Sequence, residues 1–388
     1  MRRLKKSLIG AVPVLFIGCS QAQQPPVSAD RTIIPFDSDR WEFHGEYGRM
    51  VEHKVEKYLG KKSLFIRKGL ATVKDADFTD GIIEYDIAVN RGRGFFSVLW
   101  HLQDPKNYEE FYIRTHQSGN PDANQYTPVF NGSPGWQLYY GDGYGAPIKY
   151  SFGKWMHVKV IVSGDNAEVY IEDMDTPLLF INDLKHDAKS GKIGVKSGGV
   201  GKGDKGGVHF ANFSYTAISN PPLKGKAKKP ESTPKGAIMS WSISEAFDEK
   251  SLDGIFRLTG DNKPELTWQK LTCERSGLAN ISKVQSKTKG KNTVFAKVRI
   301  TSEMEQIKPL QFGFSDRVKV YFNDQLVYGG DNTYRTRDYR YLGTIGFFDE
   351  VYLPLKEGQN ELSMAVSESY GGWGLKAKFS DMVGISVK

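Results

Sequence analysis

Three stretches carry side chains whose types and spacing suit chemistry. The first, Ile82-Ile-Glu-Tyr-Asp-Ile87, sets two carboxylates, Glu84 and Asp86, two residues apart. On an extended chain that spacing puts both on one side, where one can act as an acid and the other as a base. The second, Glu110-Phe-Tyr-Ile-Arg-Thr-His116, puts Glu110, Tyr112, Arg114 and His116 opposite Phe111 and Ile113. The third runs from the turn-rich loop Gly119–Tyr126, with Gln125 and Tyr126, to Trp136, Tyr139, Tyr140 and Tyr144. Aromatic rings offer flat apolar faces to the C–H side of a sugar, while arginine and amide groups bond its hydroxyls. Such an apolar wall with a few polar groups is what a small-molecule pocket needs. The candidate ligand-binding residues are therefore Tyr112, Arg114, His116, Gln125, Tyr126, Trp136 and Tyr139, with Trp373 as a further platform or else a core ring. Glu84, Asp86, Arg114 and His116 are the catalytic candidates should the chain be an enzyme. The plainer alternatives are a surface carboxylate pair, and a solvated strand face with the aromatics in the core.

The elements that position these residues are strands. No amphipathic run of helical period exceeds two turns, and short alternating segments bounded by Gly, Asn and Asp dominate, which predicts an all-β chain of sandwich type. Ile83, Tyr85, Ile87 and Val89 share one face; Phe96, Val98, Trp100 and Leu102 form a second inward row; Met156, Val158, Val160 and Val162 form a third. Parity then sends Ser97, Leu99 and His101 outward. If the strands carrying Glu84, His101 and Arg114 pair in one sheet, its outer face gathers three acids, two histidines, an arginine and a tyrosine. Residues 219–235 hold four prolines and no apolar period, so they read as a solvated linker between a module at 32–218 and another at 236–388. In the second module a hairpin turns at Asn323-Asp324, Pro354 suits an edge strand, and the polar aromatic loop Tyr334–Tyr341 is expected to touch a ligand or the first module.

Strand order makes a resemblance specific. Phe78-Thr-Asp-Gly81 is followed by an aromatic-rich strand, Trp155-Met-His-Val-Lys159, Ala167-Glu-Val-Tyr-Ile171, Gly191-Lys-Ile-Gly-Val195 and Phe210-Ala-Asn-Phe213. Residues 32–217 thereby resemble the concanavalin A-like lectin and glucanase jelly roll, and within it laminin-G-like and 3-keto-disaccharide hydrolase domains. The second half, with its hairpin, a turn of the type Leu355-Lys-Glu-Gly-Gln-Asn360 and the late Gly372-Trp-Gly374, resembles the galactose-binding-like β-sandwich. The resemblance implies a saccharide partner. Glu84-x-Asp86 is similar to part of the Glu-x-Asp-x-x-Glu strand of glucanases, but Val89 stands where the third acid would. The laminin-G likeness brings calcium into view, with Asp122 or Asp142 as oxygen donors, yet no ligand spacing assigns a metal site and no cofactor is expected. No Ser-His-Asp elbow, His-Glu-x-x-His or phosphate loop is present; the Gly-rich run 199–207 lies between strands, with no helix after it.

The N-terminus sets the expected compartment. Arg2, Arg3, Lys5 and Lys6 precede an apolar run, Leu8–Gly18, too short to cross about 30 Å of hydrocarbon, so residues 1–18 read as a signal peptide. Leu15-Phe-Ile-Gly-Cys19 resembles a bacterial lipobox, which implies lipidation of Cys19 and a polar tether over 19–31. The expected location is the cell envelope, at the outer membrane or periplasmic face. Cys273 then has no partner for a disulfide. The formal charge of +8 loses four with the signal and a net four with the linker, so the two modules together are near neutral, no nucleic-acid footprint is required, and no nucleic-acid partner is expected. The expectation is an envelope-anchored, non-catalytic carbohydrate-binding lipoprotein. Its rivals are a glycoside hydrolase acting on a modified disaccharide or polysaccharide, and a protein–protein scaffold exposing a large apolar patch.

Overall fold

Alternation in the first half builds two antiparallel sheets packed face to face. One runs β13 (Leu179–Ile181), β12 (Asn166–Ile171), β11 (Trp155–Ser163), β6 (Gly81–Ala88), β15 (Val208–Ala217), β4 (Lys61–Arg67) and β3 (Glu52–Tyr58), with β1 (Thr32–Ile33) also on β15. The other runs β10 (Ser133–Pro134), β9 (Asn124–Phe130), β8 (Asn107–Arg114), β7 (Phe95–Asp104), β14 (Lys192–Gly198), β5 (Gly69–Val73) and β2 (Trp41–Gly45). The computed structural model describes residues 30–45, 50–199, 206–229, 231–260 and 265–388. The signal run, Cys19 and most of the tether lie outside the described residues, as does most of the Gly-rich run 199–207.

The inward rows meet as expected. Ile83, Tyr85, Ile87 and Val89 share one core with Phe96, Val98, Trp100, Phe111 and Ile113, and with the rows of β11 and β12. Each large side chain so buried contributes about 1.5–3 kcal/mol from the removal of apolar surface.

Two corrections follow from the pairing. Strand β6 does not join β7 and β8: it lies between β11 and β15 in the opposite sheet. The chain crosses between sheets after β6, so the outward residues Glu84 and Asp86 face away from the sandwich on the side opposite Tyr112 and Arg114. The second correction lies in β7, whose register with β8 shifts between Trp100 and Asp104, where His101 takes a φ of 49°. That bulge reverses the expected parity. Leu102 joins Leu70, Leu99, Tyr108 and Val129 in a small apolar cluster away from the main core. His101 is buried, with Nε2 2.7 Å from the Thr79 carbonyl.

The second half is also a sandwich. A seven-stranded sheet that includes Thr293–Ser302, Arg317–Phe322 and Gly358–Ser367 packs on a four-stranded sheet that includes Gln306–Ser315 and Gly374–Phe379. Asn323 and Asp324 both take positive φ, 48° and 67°, and close a two-residue hairpin. Pro354 lies on Asp349–Leu355, an edge strand of the four-stranded sheet. Trp373 is a core ring, packed with Phe312, Phe314 and Trp241, and its indole N–H donates to the Val366 carbonyl at 2.9 Å. Cys273 is buried and free, and burial pushes its thiol up to about 12. The segment between the sandwiches is not freely solvated: Lys224 donates to the Asp175 carbonyl, and the Lys228 amide donates to Asn182.

Candidate functional site

Sheet alternation turns one face of β8 outward at Glu110, Tyr112 and Arg114, while Glu109, Phe111 and Ile113 face the core. Beside it β14 presents Lys196 and β7 presents Ser97, and together these side chains floor a cleft of about 420 Å³. Arg114 is its anchor, only 7% exposed. Its guanidinium donates to the Asp122 carbonyl at 3.0 Å, to the Tyr112 hydroxyl at 2.7 Å and to Gln125 Oε1. Tyr112 in turn donates to Gln125 Oε1 at 3.0 Å, and burial holds its phenol protonated. Gln125 Nε2 donates to the carbonyls of Trp136 and Tyr139, which ties the floor to the loop after β10. Three of the five guanidinium N–H groups are thus engaged, and the plate is held in one orientation.

The walls come from both sandwiches. Trp136 and Tyr140 rise from the first, while Tyr334, Leu342 and Tyr370 are supplied by the second. The Trp136 ring sits 6.0 Å from Tyr334 and 6.0 Å from Tyr370, centroid to centroid. The contact behind them is specific. The Gln137 amide donates to the Gly371 carbonyl at 2.9 Å, and Gln137 Nε2 donates to the Leu342 carbonyl at 2.8 Å. Gly371, with a φ of 121°, has to be glycine: a Cβ there would lie 1.9 Å from Gln137 Oε1. Tyr139 is buried with Leu138 and Leu278, and its hydroxyl donates to Glu274, which also receives Lys185 at 3.2 Å and Lys283 at 3.0 Å.

Among the described residues two buried polar atoms of the cleft lining are unsatisfied, Trp136 Nε1 and His116 Nδ1. Buried polar groups are normally bonded, so each is a place for a ligand's polar atom. Burial, then Arg93 and Arg114, press the His116 pKa below its ordinary value, which keeps the ring neutral. The two carboxylates of the cleft each sit against a cation: Glu110 is 3.3 Å from Lys196, and Asp122 is 3.8 Å from Arg114.

The structure therefore gathers Tyr112, Arg114, His116 and Trp136 into one cleft, with Gln125 directly behind. Tyr126 is instead a core ring whose hydroxyl donates to the buried Glu109. Tyr139 belongs to the joint between the sandwiches, and Trp373 to the second core. Glu84 and Asp86 lie on the far sheet, saturated by neighbours: His157 Nδ1 is 2.8 Å from Asp86 and Nε2 3.3 Å from Glu84, while Lys61 and Asn212 donate to Asp86. Burial pushes the Asp86 carboxyl up, but hydrogen bonds from His157, Lys61 and Asn212 outweigh it and bring it down to about 2. The calcium donors do not fit a cation either, since Asp122 faces Arg114 and Asp142 pairs with Lys228. Among the described residues no group of three or more His, Cys, Asp or Glu side chains is placed to hold a metal.

Sequence reasoning missed Lys68, Arg93 and Phe95, which sit at strand ends where alternation says nothing. It left Trp373 as either a platform or a core ring and gave Tyr370 no role; the structure makes Trp373 the core ring and Tyr370 part of the wall. The glycine pair between them reverses the chain, so Tyr370 enters the cleft and Trp373 the core.

No family model matches the chain, and no curated protein matches it. Among solved structures it is similar to the carbohydrate binding module CBM66 from Bacillus subtilis, at 16% identity over 46% of this chain and 96% of that one, with a TM-score of 0.34. A Bacillus subtilis protein of unknown function with a galectin-like fold matches at 14% identity over 51% and 99%, TM-score 0.37. The Bacillus licheniformis beta-glucanase matches at 11% identity over 49% and 97%, TM-score 0.36. The sandwich architecture of the first half stands on the strand pairing described above.

Proposed function

We propose that this chain is a saccharide-binding lipoprotein of the cell envelope, and that the cleft between its two sandwiches holds the sugar without cleaving it. One observation carries the reading: a fixed arginine floor lies beneath a wall of aromatic rings, and two buried polar atoms of that lining have no partner among the described residues. Sugar rings stack on such a wall through their C–H faces, and the leftover donors take their hydroxyls. Hydrolysis of a glycosidic bond needs one carboxyl held protonated beside an ionised one. Glu110 and Asp122 each stand beside a cation, and the Glu84–Asp86 pair lies on the other sheet, so neither pair meets that need. The anchor at Cys19 would keep the cleft at the membrane surface.

The test is affinity electrophoresis of the full, detergent-solubilised chain against a panel of polysaccharides, with product analysis of the same mixtures. Retardation by at least one glycan without new reducing ends is the expected result. Released oligosaccharides would overturn the non-catalytic reading, and no retardation by any glycan would overturn the saccharide reading itself.

A further inference from the structure

We propose that the cleft selects acidic saccharides, with a carboxylate or sulfate seated at one cationic end; this rests on the saccharide reading above. The sheet register brings the cations together. Gly69 at the start of β5 pairs with Ser197 of β14, Gly198 pairs with Phe95 at the start of β7, and Phe95 pairs with Arg114 at the end of β8. Four neighbouring strands thus place their ends along one rim. Lys68 immediately precedes β5, Arg93 stands two residues before β7, and Arg114 closes β8, so three cations from three strands border the same end of the cleft.

Their pairing state distinguishes them from ordinary surface charge. Among the described residues Lys68 and Arg93 form no ion pair, while the two carboxylates of the lining are already matched by Lys196 and Arg114. Among the described residues the lining therefore holds four cations, Lys68, Arg93, Arg114 and Lys196, against two anions, Glu110 and Asp122. Arg93 lies over the Phe95 ring at 5.4 Å, a contact that orients its guanidinium plate. Arg93 and Arg114 also both bear on His116, which locates their fields at one spot. The other end of the same sheet face is apolar, formed by Leu70, Leu99, Leu102, Tyr108 and Val129. The excess is local, because the two modules together are close to neutral. A planar guanidinium fork fits a carboxylate or sulfate through paired N–H donors, and a lysine adds a point charge beside it. A neutral sugar would leave Lys68 and Arg93 with water alone.

The test is isothermal titration of the full detergent-solubilised chain against matched glycans: polygalacturonate and its methyl ester, chondroitin sulfate and its desulfated, carboxyl-reduced form, and neutral glucan, galactan and mannan. At least one acidic member should bind about tenfold or more tighter than its neutralised partner, with the gap closing as salt is raised. The Lys68→Ala/Arg93→Ala double variant, checked for an unchanged melting curve, should lose that preference. Equal binding of acidic and neutral partners would overturn the proposal while leaving the saccharide site standing. An acid preference that survives in the double variant would overturn the assignment to this rim. Failure of every glycan to bind would remove the saccharide reading along with it.

Discussion

The two outer faces of the first sandwich carry similar side chains and have opposite fates. On one, Glu84, Asp86, His157, Lys61 and Arg31 satisfy one another: the Arg31 guanidinium is 3.6 Å from Glu84, and the imidazole bridges both acids. On the other, Arg114, Tyr112 and Gln125 form an equally tight network, but among the described residues Trp136 and His116 keep unmatched polar atoms, and Lys68 and Arg93 at the rim form no ion pair. The difference is that a second body covers the latter face. The second sandwich brings Tyr334 and Tyr370 over the sheet without closing the space, so groups are desolvated before they are paired. A cluster of acids and a histidine on a strand is thus no site by itself. Left-over hydrogen-bonding capacity in a shielded hollow marks one better.

The sharpest way to break this comparison is to remove one network member from each face. Arg114→Met should lower saccharide affinity at least about 100-fold and destabilise the fold by about 2 kcal/mol, because the Tyr112 and Gln125 acceptors lose a charged donor. Asp86→Asn should leave affinity unchanged in the same titration while lowering thermal stability; a loss of binding there would join the two faces functionally. Next in size, Trp136→Ala should weaken binding about 10- to 100-fold at near-constant stability, since the ring is a wall and not a core element.

A third effect concerns the support of the wall. Asp316 Oδ2 accepts the amides of Ser369 and Tyr370, and Glu368 Oε1 accepts that of Gly372, so two buried acids hold the loop that presents Tyr370. Burial, then Asp316 beside it, push Glu368 up to about 8 from its ordinary 4.5, with Lys287 and Arg317 opposing. Between those values the unfolded chain has released a proton that the folded chain keeps, so stability falls as pH rises through that window. Glu368→Gln should flatten this decline, gaining on the order of 2 kcal/mol over wild type near pH 8 in denaturant melts. The His157 imidazole, raised to about 9 by its bonds to Asp86 and Glu84, adds a smaller decline in the same direction. Its contribution is full below the ordinary 6.5 and is lost as pH rises through 9.

Alternation made much of this legible in advance. Period-two patterning placed Phe111 and Ile113 in the core and Tyr112 and Arg114 outside it, and turn chemistry located the Asn323-Asp324 hairpin. Two things were illegible. Which strands share a sheet depends on long-range pairing, so β6 could not be separated from β7 and β8 by pattern alone. A bulge such as that at His101 also reverses parity without any local mark, because the residue allowing it is not a glycine. The composite wall was half visible: the Tyr334–Tyr341 loop read as a contact surface, but which of Tyr370 and Trp373 faced outward depended on the turn at Gly371-Gly372.

The most direct measurement is a crystal structure of the chain with the tightest-binding oligosaccharide from the glycan panel. The account predicts a sugar ring between the Arg114–Tyr112 floor and the Trp136–Tyr370 wall, with polar contacts to Trp136 Nε1 and His116. An oligosaccharide seated on any other surface, with that hollow holding only solvent, would contradict it.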